Sequence, residues 1–418
     1  MSIQTATTPD LMDTVVSVLD LVRSGAAHTR PEIARLSGLG RNVVTQRVSQ
    51  LLDGGLLAEG EMGRSTGGRA PRELRFCADA GHVLVLELGA TSISVATADL
   101  SGALRGQVTE AADVTDGPDV ILGRAAEMID QLLRSDPVEV WGVGVGLPGP
   151  VEFTTGRPVA PPIMPGWDGY DVRGYFADRY DAPVWVDNDV NVMVLGELRD
   201  GLAQGVRDVV YVKVGSGIGA GLVSAGHLHR GAQGCAGDIG HIAAEDHSSI
   251  VCRCGQTGCL EALAGGAALA RDGLLAAQAG RSPYLAKRAN EGHPITATDV
   301  GHAALRGDPY SVQLVTYSAK LVGESLSRIV NFFNPSLILI GGGVSDVGDL
   351  YLASVRQEIF SRSLPLATRS LKIERSPLGD TAGLKGAAFM VIDELLSPER
   401  LGLWIDRKSP AGQPALSA

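Results

Sequence analysis

Residues 83–102, VLVLELGATSISVATADLSG, align without a gap on residues 209–228, VVYVKVGSGIGAGLVSAGHL. The register sets Glu87 beside Lys213, Gly89 beside Gly215 and Thr91 beside Gly217. Each copy is an apolar run, a glycine-containing turn and a second alternating run, the pattern of strand, turn and strand. Helical and further strand patterns follow each copy, so the duplication predicts two similar α/β lobes whose turns face each other across a cleft. A chain of 418 residues, 44% hydrophobic and 20% charged, has apolar material for more than one core.

Glycine turns let backbone N–H groups approach an anion such as a nucleotide phosphate, because no Cβ intervenes; hairpins also use glycine for purely structural reasons. A third glycine run, SLILIGGGVSD with Gly342, follows an apolar strand and suits either a nucleotide or a close strand-to-helix crossing. Between the two copies, VWGVGVGLPGPVE reads as a buried strand ending in a Gly-Pro loop that contains Gly149. APVWVDNDVNVMVLGEL reads as a strand ending in Asp187-Asn188-Asp189 before a helix. The C-terminal ends of such strands are where α/β folds place chemistry. Asp189 there suits proton acceptance from a substrate hydroxyl and Asn188 suits hydrogen bonding to neighbouring hydroxyls. The structural alternative is that Asp187 or Asp189 caps the following helix.

The first 80 residues read differently. Thr8-Pro9 suits a helix start, and Leu11, Val15, Val18, Leu19 and Val22 repeat at helical spacing. Thr29 to Glu32 forms a capping-box pattern before a short helix that Ser37-Gly38 stops. In GRNVVTQRVSQLLDGGLL a third helix buries Val44, Val48, Leu51 and Leu52 and leaves Arg41, Asn42, Thr45, Gln46 and Arg47 outward, the polar set a major groove requires. Leu56-Leu57 and Glu73 to Phe76 read as the strands of a hairpin whose tip offers Arg64 and Arg69 to phosphates or a minor groove. Net charge is −11 overall, yet this segment holds nine Arg against nine acids, and residues 64–75 hold four Arg against one Glu. The pattern is that of a winged helix-turn-helix; a small helical interaction domain with a solvated polar face is the alternative.

No apolar run approaches the length needed to span a bilayer and the start MSIQTATTPD lacks a signal-peptide pattern, so a cytoplasmic, reducing setting is the expectation. Five cysteines, three of them in Cys252-Arg-Cys254-Gly-Gln-Thr-Gly-Cys259, then point to a metal site or a reactive thiol. Cys77 and Cys235 fit no ligand pattern and read as packed side chains. A helix is predicted from about Thr381 to Leu396, with Gly383, Gly386 and Ala387 permitting close backbone approach. Residues 280–300 and the chain after Arg407 read as loop or tail.

Taken together these pieces resemble the ROK family, named for repressors, open reading frames and kinases, over nearly the whole chain. The resemblance rests on Gly240-His241 followed by Cys252-Arg-Cys254-Gly-Gln-Thr-Gly-Cys259-Leu-Glu261. It implies a two-lobed α/β body with the actin-like, ribonuclease H-like ATPase (sugar kinase) fold, preceded by an α+β winged helix-turn-helix domain. The expected divisions are residues 1–80 for the head, 81–204 for the first lobe and 205–418 for the second lobe, with the metal site and C-terminal helix. It further implies a structural zinc on His241, Cys252, Cys254 and Cys259, a closed set of one imidazole and three thiolates with no place for a catalytic water. The sugar-binding residues it implies are Gly149, Asn188, Asp189, Asp238, His241 and Glu261; Asp238 stands where the family has Glu, and Pro162-Ile163 where many sugar kinases carry an Asn.

The nucleotide side implied is Glu87, Gly89, Thr91, Gly215, Gly217, Gly219 and Gly342, but its first turn departs from the family's Asp-x-Gly-Gly-Thr. Here the chain reads Glu87-Leu-Gly89-Ala90-Thr91-Ser92, with a methyl where backbone must approach phosphate and no cation after it. The expectation is a homo-oligomeric sugar-responsive regulator, a dimer or tetramer, binding operator DNA and a sugar or sugar phosphate. The alternatives are an ATP-dependent sugar kinase with Asp189 as general base and Mg-ATP as co-substrate, and an inert dimerisation scaffold.

Overall fold

The computed structural model describes residues 11–62 and 72–417. Thr8, Pro9, Arg64 and Arg69 lie outside the described residues. Three helices open the chain: α1 (Leu11–Arg23), α2 (Arg30–Ser37) and α3 (Arg41–Asp53). Their interior is Val15, Val18, Leu19, Val22, Ile33, Val44, Val48 and Leu51, while Leu11 is 51% exposed. Thr29 caps α2 by accepting from the Glu32 backbone N–H, and Glu32 returns the bond to His28 N–H rather than to Thr29 itself. Gly38, in the left-handed region, ends the helix. Strands β1 (Leu57–Met62) and β2 (Arg72–Phe76) follow as an antiparallel pair.

The first lobe contains β3 (His82–Leu88), β4 (Ser92–Asp99), β5 (Leu104–Ala111), α4 (Pro118–Ser135), β6 (Val140–Leu147), the short hairpin β7 (Val151–Glu152) and β8 (Arg157–Pro158), α5 (Val172–Tyr180), β9 (Val184–Asn188) and α6 (Asp189–Asp200). The second contains β10 (Val209–Val214), β11 (Ile218–Ser224), β12 (His227–Leu228), α7 (Leu260–Ala264), α8 (Gly266–Gln278), α9 (Pro283–Asn290), α10 (Ala297–Leu305), α11 (Pro309–Phe333), β13 (Leu337–Gly341), α12 (Asp349–Arg362), α13 (Pro365–Thr368) and β14 (Lys372–Arg375). The sheets run β5-β4-β3-β6-β9 and β12-β11-β10-β13-β14. In each, three antiparallel strands adjoin two parallel ones, so β3, β4, β5, β6 and β9 correspond to β10, β11, β12, β13 and β14. The sequence duplication is thus a duplication of topology.

After β14 the chain returns to the first sheet through α14 (Ala382–Leu395), followed by α15 (Pro398–Trp404). Helix α14 crosses α6 with backbones in contact: a Cβ on Gly386 would fall on the Val192 carbonyl oxygen, and one on Gly196 on the Ala382 carbonyl oxygen. The helix read from sequence alongside the second lobe therefore lies against the first. One continuous apolar core joins the opening helices, the face of the first sheet carrying Val83 and Val85, and the helical ends from Leu384 to Leu401 and Trp404. One reading of loop is corrected. Residues 280–300 include α9 and the start of α10, since Ser282 and Thr296 each cap a helix. Beyond Arg407 the chain packs back on β9, where Val184 N–H donates to Ser417 Oγ at 3.1 Å.

Gly386→Val places a branched side chain into the α6–α14 contact, and the expected cost is about 1–3 kcal/mol, read as a lower urea midpoint. An unchanged midpoint would show that the helices separate freely.

Candidate functional site

The turns after β3 and β10 face one another across a cavity of about 890 Å3. Its walls include Gly149, Asn188, Asp189, Asp238, His241 and Glu261 together with Glu87, Gly89, Thr91, Gly215, Gly217, Gly219 and Gly342, so both implied residue sets meet in one cleft between the sheets. Gly342, at φ +85°, also packs on the Val214 backbone, so strand crossing alone accounts for that glycine.

At the end of β9, Asn188 is the helix cap; neither aspartate is. Its Oδ1 accepts from Val190 N–H at 3.1 Å and its Nδ2 donates to the Gly149 carbonyl at 2.8 Å, tying the Gly-Pro loop to the start of α6. Asp187 is buried and accepts from Asn191 Nδ2 and from Arg230 Nε, at 2.8 and 2.7 Å. The Arg230 guanidinium, brought in by the second lobe, also lies 3.7 Å over the Phe153 ring. Asp189 opens α6 and pairs with Lys213 Nζ at 2.6 Å.

Glu261 sits at the start of α7 and accepts from Ile218 N–H at 3.1 Å. Its carboxylate fills the space over Gly217 where any side chain would stand, which explains that glycine without a phosphate. Asp238 is exposed at the cavity wall. Cys235 is exposed as well, which corrects the reading of it as packed; Cys77 is half-buried.

His241, Cys252, Cys254 and Cys259 converge, with all four ligand atoms within 4.8 Å of one another. Cys254 Sγ lies 3.7 Å from Cys259 Sγ and Cys252 Sγ lies 3.5 Å from His241 Nδ1. A tetrahedral ion with metal–sulfur bonds of about 2.3 Å has ligand–ligand edges near 3.7 Å, so spacing and donor chemistry both fit a soft divalent metal. The turn Cys252–Gln256 is closed by Cys252 N–H to the Gln256 carbonyl at 2.7 Å, and bridges Ala243–Cys259 and Val251–Thr257 hold the loop together.

On the cleft floor, burial pushes the Glu87 carboxyl up to about 7, against the pull of Lys213. Burial also pulls the Lys213 ammonium down, but the Asp189 and Glu87 carboxylates outweigh it and hold it above the ordinary lysine range. Lys213 and Arg230 are the residues that sequence reasoning missed. The repeat alignment had set Lys213 beside Glu87, whereas Arg230 carried no local signal. On the head, Arg41, Asn42, Thr45 and Gln46 are exposed on one side of α3. Arg47 departs from the outward placement: it is half-buried and its Nε donates to Thr14 Oγ1 of α1 at 2.8 Å.

The ROK family profile matches residues 83–394, and the chain belongs to this family. A xylose repressor of Caldicellulosiruptor bescii is 30% identical over 385 residues, covering 91% of this chain and 95% of that protein. A glucokinase of Halalkalibacterium halodurans is 30% identical over 318 residues, covering 75% of this chain and 96% of the kinase. Among solved structures, a ROK family transcriptional regulator described as a homologue of the Escherichia coli Mlc protein superposes with a TM-score of 0.82 at 25% identity, covering 95% of this chain and 99% of its own. No helix among the described residues is long and apolar enough to cross a membrane.

A carboxyl whose folded-state value is raised, as Glu87's is from 4.5 to about 7, gives its full contribution to stability below 4.5 and loses it as pH rises toward 7. Relative to Glu87→Gln, the native chain should lose up to roughly 3 kcal/mol across that window, measured by urea titration at stepped pH. Parallel curves for the two proteins would remove the assignment.

Proposed function

We propose that this chain is a sugar-responsive transcriptional repressor that grips operator DNA through its first 80 residues as a winged helix-turn-helix and acts as a homo-oligomer. The observation that carries the reading is the extent of likeness. The repressor relative aligns over 91% of the chain, whereas the glucokinase aligns over 75%. Exposed Arg41, Asn42, Thr45 and Gln46 supply the base-reading face, and Arg64 and Arg69, outside the described residues, supply phosphate contacts. A palindromic operator is read by a two-fold pair of heads about one DNA turn apart.

The effector is a sugar or sugar phosphate, held by Asn188, Asp189, Asp238, His241 and Glu261 with Gly149 behind them. These residue types chelate adjacent hydroxyls from fixed directions. Zinc is the metal we assign to His241 and the three thiols. Its role is structural: it fixes the loop that presents His241 and Glu261.

The fold supplies a route from ligand to head. Helix α6 begins with Asp189, capped by Asn188, and about 15 Å further on carries Arg199, whose Nε donates to Asp393 of α14 at 3.1 Å. Asp393 also accepts from Arg23 of α1 at 3.2 Å. Ligand that draws the lobes together shifts α6, and with it the seat of α1, in proportion to its preference for the closed state. The kinase relatives favour a second reading, phosphoryl transfer with Asp189 as general base, which the Lys213 pairing opposes.

Cys254→Ser should lower zinc content measured by plasma mass spectrometry and abolish sugar response with the head still folded; undiminished zinc would refute the ligand set. A duplex selected from a random pool should bind the full chain with steep salt dependence, and one member of a panel of pentoses, hexoses and N-acetylhexosamines should shift that affinity. Gln46→Ala should alter sequence preference and Arg69→Ala should weaken all duplexes alike. Selection that yields no preferred sequence, or ADP release from Mg-ATP above an Asp189→Asn control, would turn the reading toward the kinase.

A further inference from the structure

The cleft floor holds a cation of its own. Lys213 is the penultimate residue of β10, at the position equivalent to Glu87 of β3, so the two lobes present an ammonium and a carboxylate from matching places in their sheets. Its Nζ donates to Asp189 Oδ2 at 2.6 Å, with the lysine side chain 20% exposed and the aspartate side chain 8%. Glu87 lies within electrostatic reach of Lys213, of Asp189 and of Asp380, the last on the chain entering α14. The Glu87 carboxylate is also wedged against Gly383, where even a methyl group would collide with it.

A divalent ion for nucleotide phosphates is a hard cation that needs free oxygen ligands and keeps several waters around it. Here one carboxylate already receives an ammonium and the other is packed against backbone. A second cation between them would stand against Lys213, and an ammonium is a compact, strongly hydrated point charge whose repulsion is not spread over a plane. The first turn adds no compensation, since Ala90 and Ser92 offer neither room nor charge. The residues present do not fit a magnesium–nucleotide complex.

We infer that Lys213 is a tethered counter-ion that takes the place of a divalent metal between Glu87 and Asp189, so that this cleft binds a polyhydroxyl ligand and no metal–nucleotide complex. Lys213 is thus a specificity-determining residue. It fixes Asp189 as a hydrogen-bond acceptor for ligand hydroxyls and removes the site at which triphosphate charge would be neutralised. The inference concerns the cation alone and holds whether or not the head binds DNA.

Manganese(II) is the probe, followed by the loss of its free-ion paramagnetic resonance signal on titration into the zinc-loaded full chain, with and without the non-hydrolysable analogue AMPPNP. Wild type should leave the signal unchanged. Lys213→Met should take up one equivalent, and adding Glu87→Gln to it should abolish the uptake. Uptake by wild type that Glu87→Gln removes would overturn the inference without recourse to the lysine variant, as would a folded Lys213→Met chain that takes up none. Operator affinity, measured in parallel, separates either result from a failure of the regulator reading.

Discussion

The backbone contact between α6 and α14 is the constraint on which the rest of this architecture depends. Two glycines, Gly196 and Gly386, bring the helices together closely enough that carbonyl oxygens occupy the space of the missing side chains. Helix α6 supplies Asp189 at one end and Arg199 at the other, and α14, entered just after the cleft residue Asp380, runs beside it toward Asp393 and the core of the opening helices. Interiors are packed like crystals and transmit displacement instead of absorbing it. A head built on α1 and a cleft floored by Asp189 therefore share one rigid pair of helices.

What could be read in the sequence was what is local or repeated. The duplicated strand–turn–strand segment announced two sheets of equal order because its period survives in the residues themselves, and the three cysteines stood out because they cluster along the chain, whereas His241 joined them only through the family resemblance. The return of α14 to the first sheet was hidden, since its glycines declare a close approach without naming the partner. Capping was hidden for a related reason. Asp187, Asn188 and Asp189 all have cap-forming side chains, and Asn188 took the cap because Arg230 and Lys213 claimed its neighbours from distant parts of the chain. Arg47 sits at a helical position that looks exposed until Thr14 of α1 is brought beside it.

The lobes meet through an apolar cluster that joins Met193 and Val194 of α6 to Val209, Tyr211 and Leu339 of the second sheet, and through two ion pairs at the cleft. Arg230 of the second lobe enters the first to reach buried Asp187, and Lys213 of the second reaches Asp189. Ion pairs at such depth add little net stability, because desolvation offsets most of their attraction, yet leaving one partner unpaired costs several kcal/mol. They therefore select one relative placement of the lobes and penalise others. Asn188, flanked by both pairs and bonded to the Gly149 carbonyl, is held in register by its neighbours' charges.

The opposite wall of the cleft is held by other means. Residues 229–259 contain no helix and no strand beyond isolated bridges, yet they place Asp238 and His241 at the cavity. A long irregular segment inside a compact protein carries a conformational entropy cost of about 1–2 kcal/mol per ordered residue, with few ladder hydrogen bonds to offset it. The four convergent ligands are the feature that answers that cost. A metal bound there would close the loop at both His241 and Cys259, and Glu261 follows two residues later as α7 begins. With a metal there, the acid that accepts from Ile218 N–H would be positioned by a cation on one side and a helix start on the other. The cleft joins a wall set by close helix packing to one lined by residues of the His241 loop, whose four convergent side chains fit a metal.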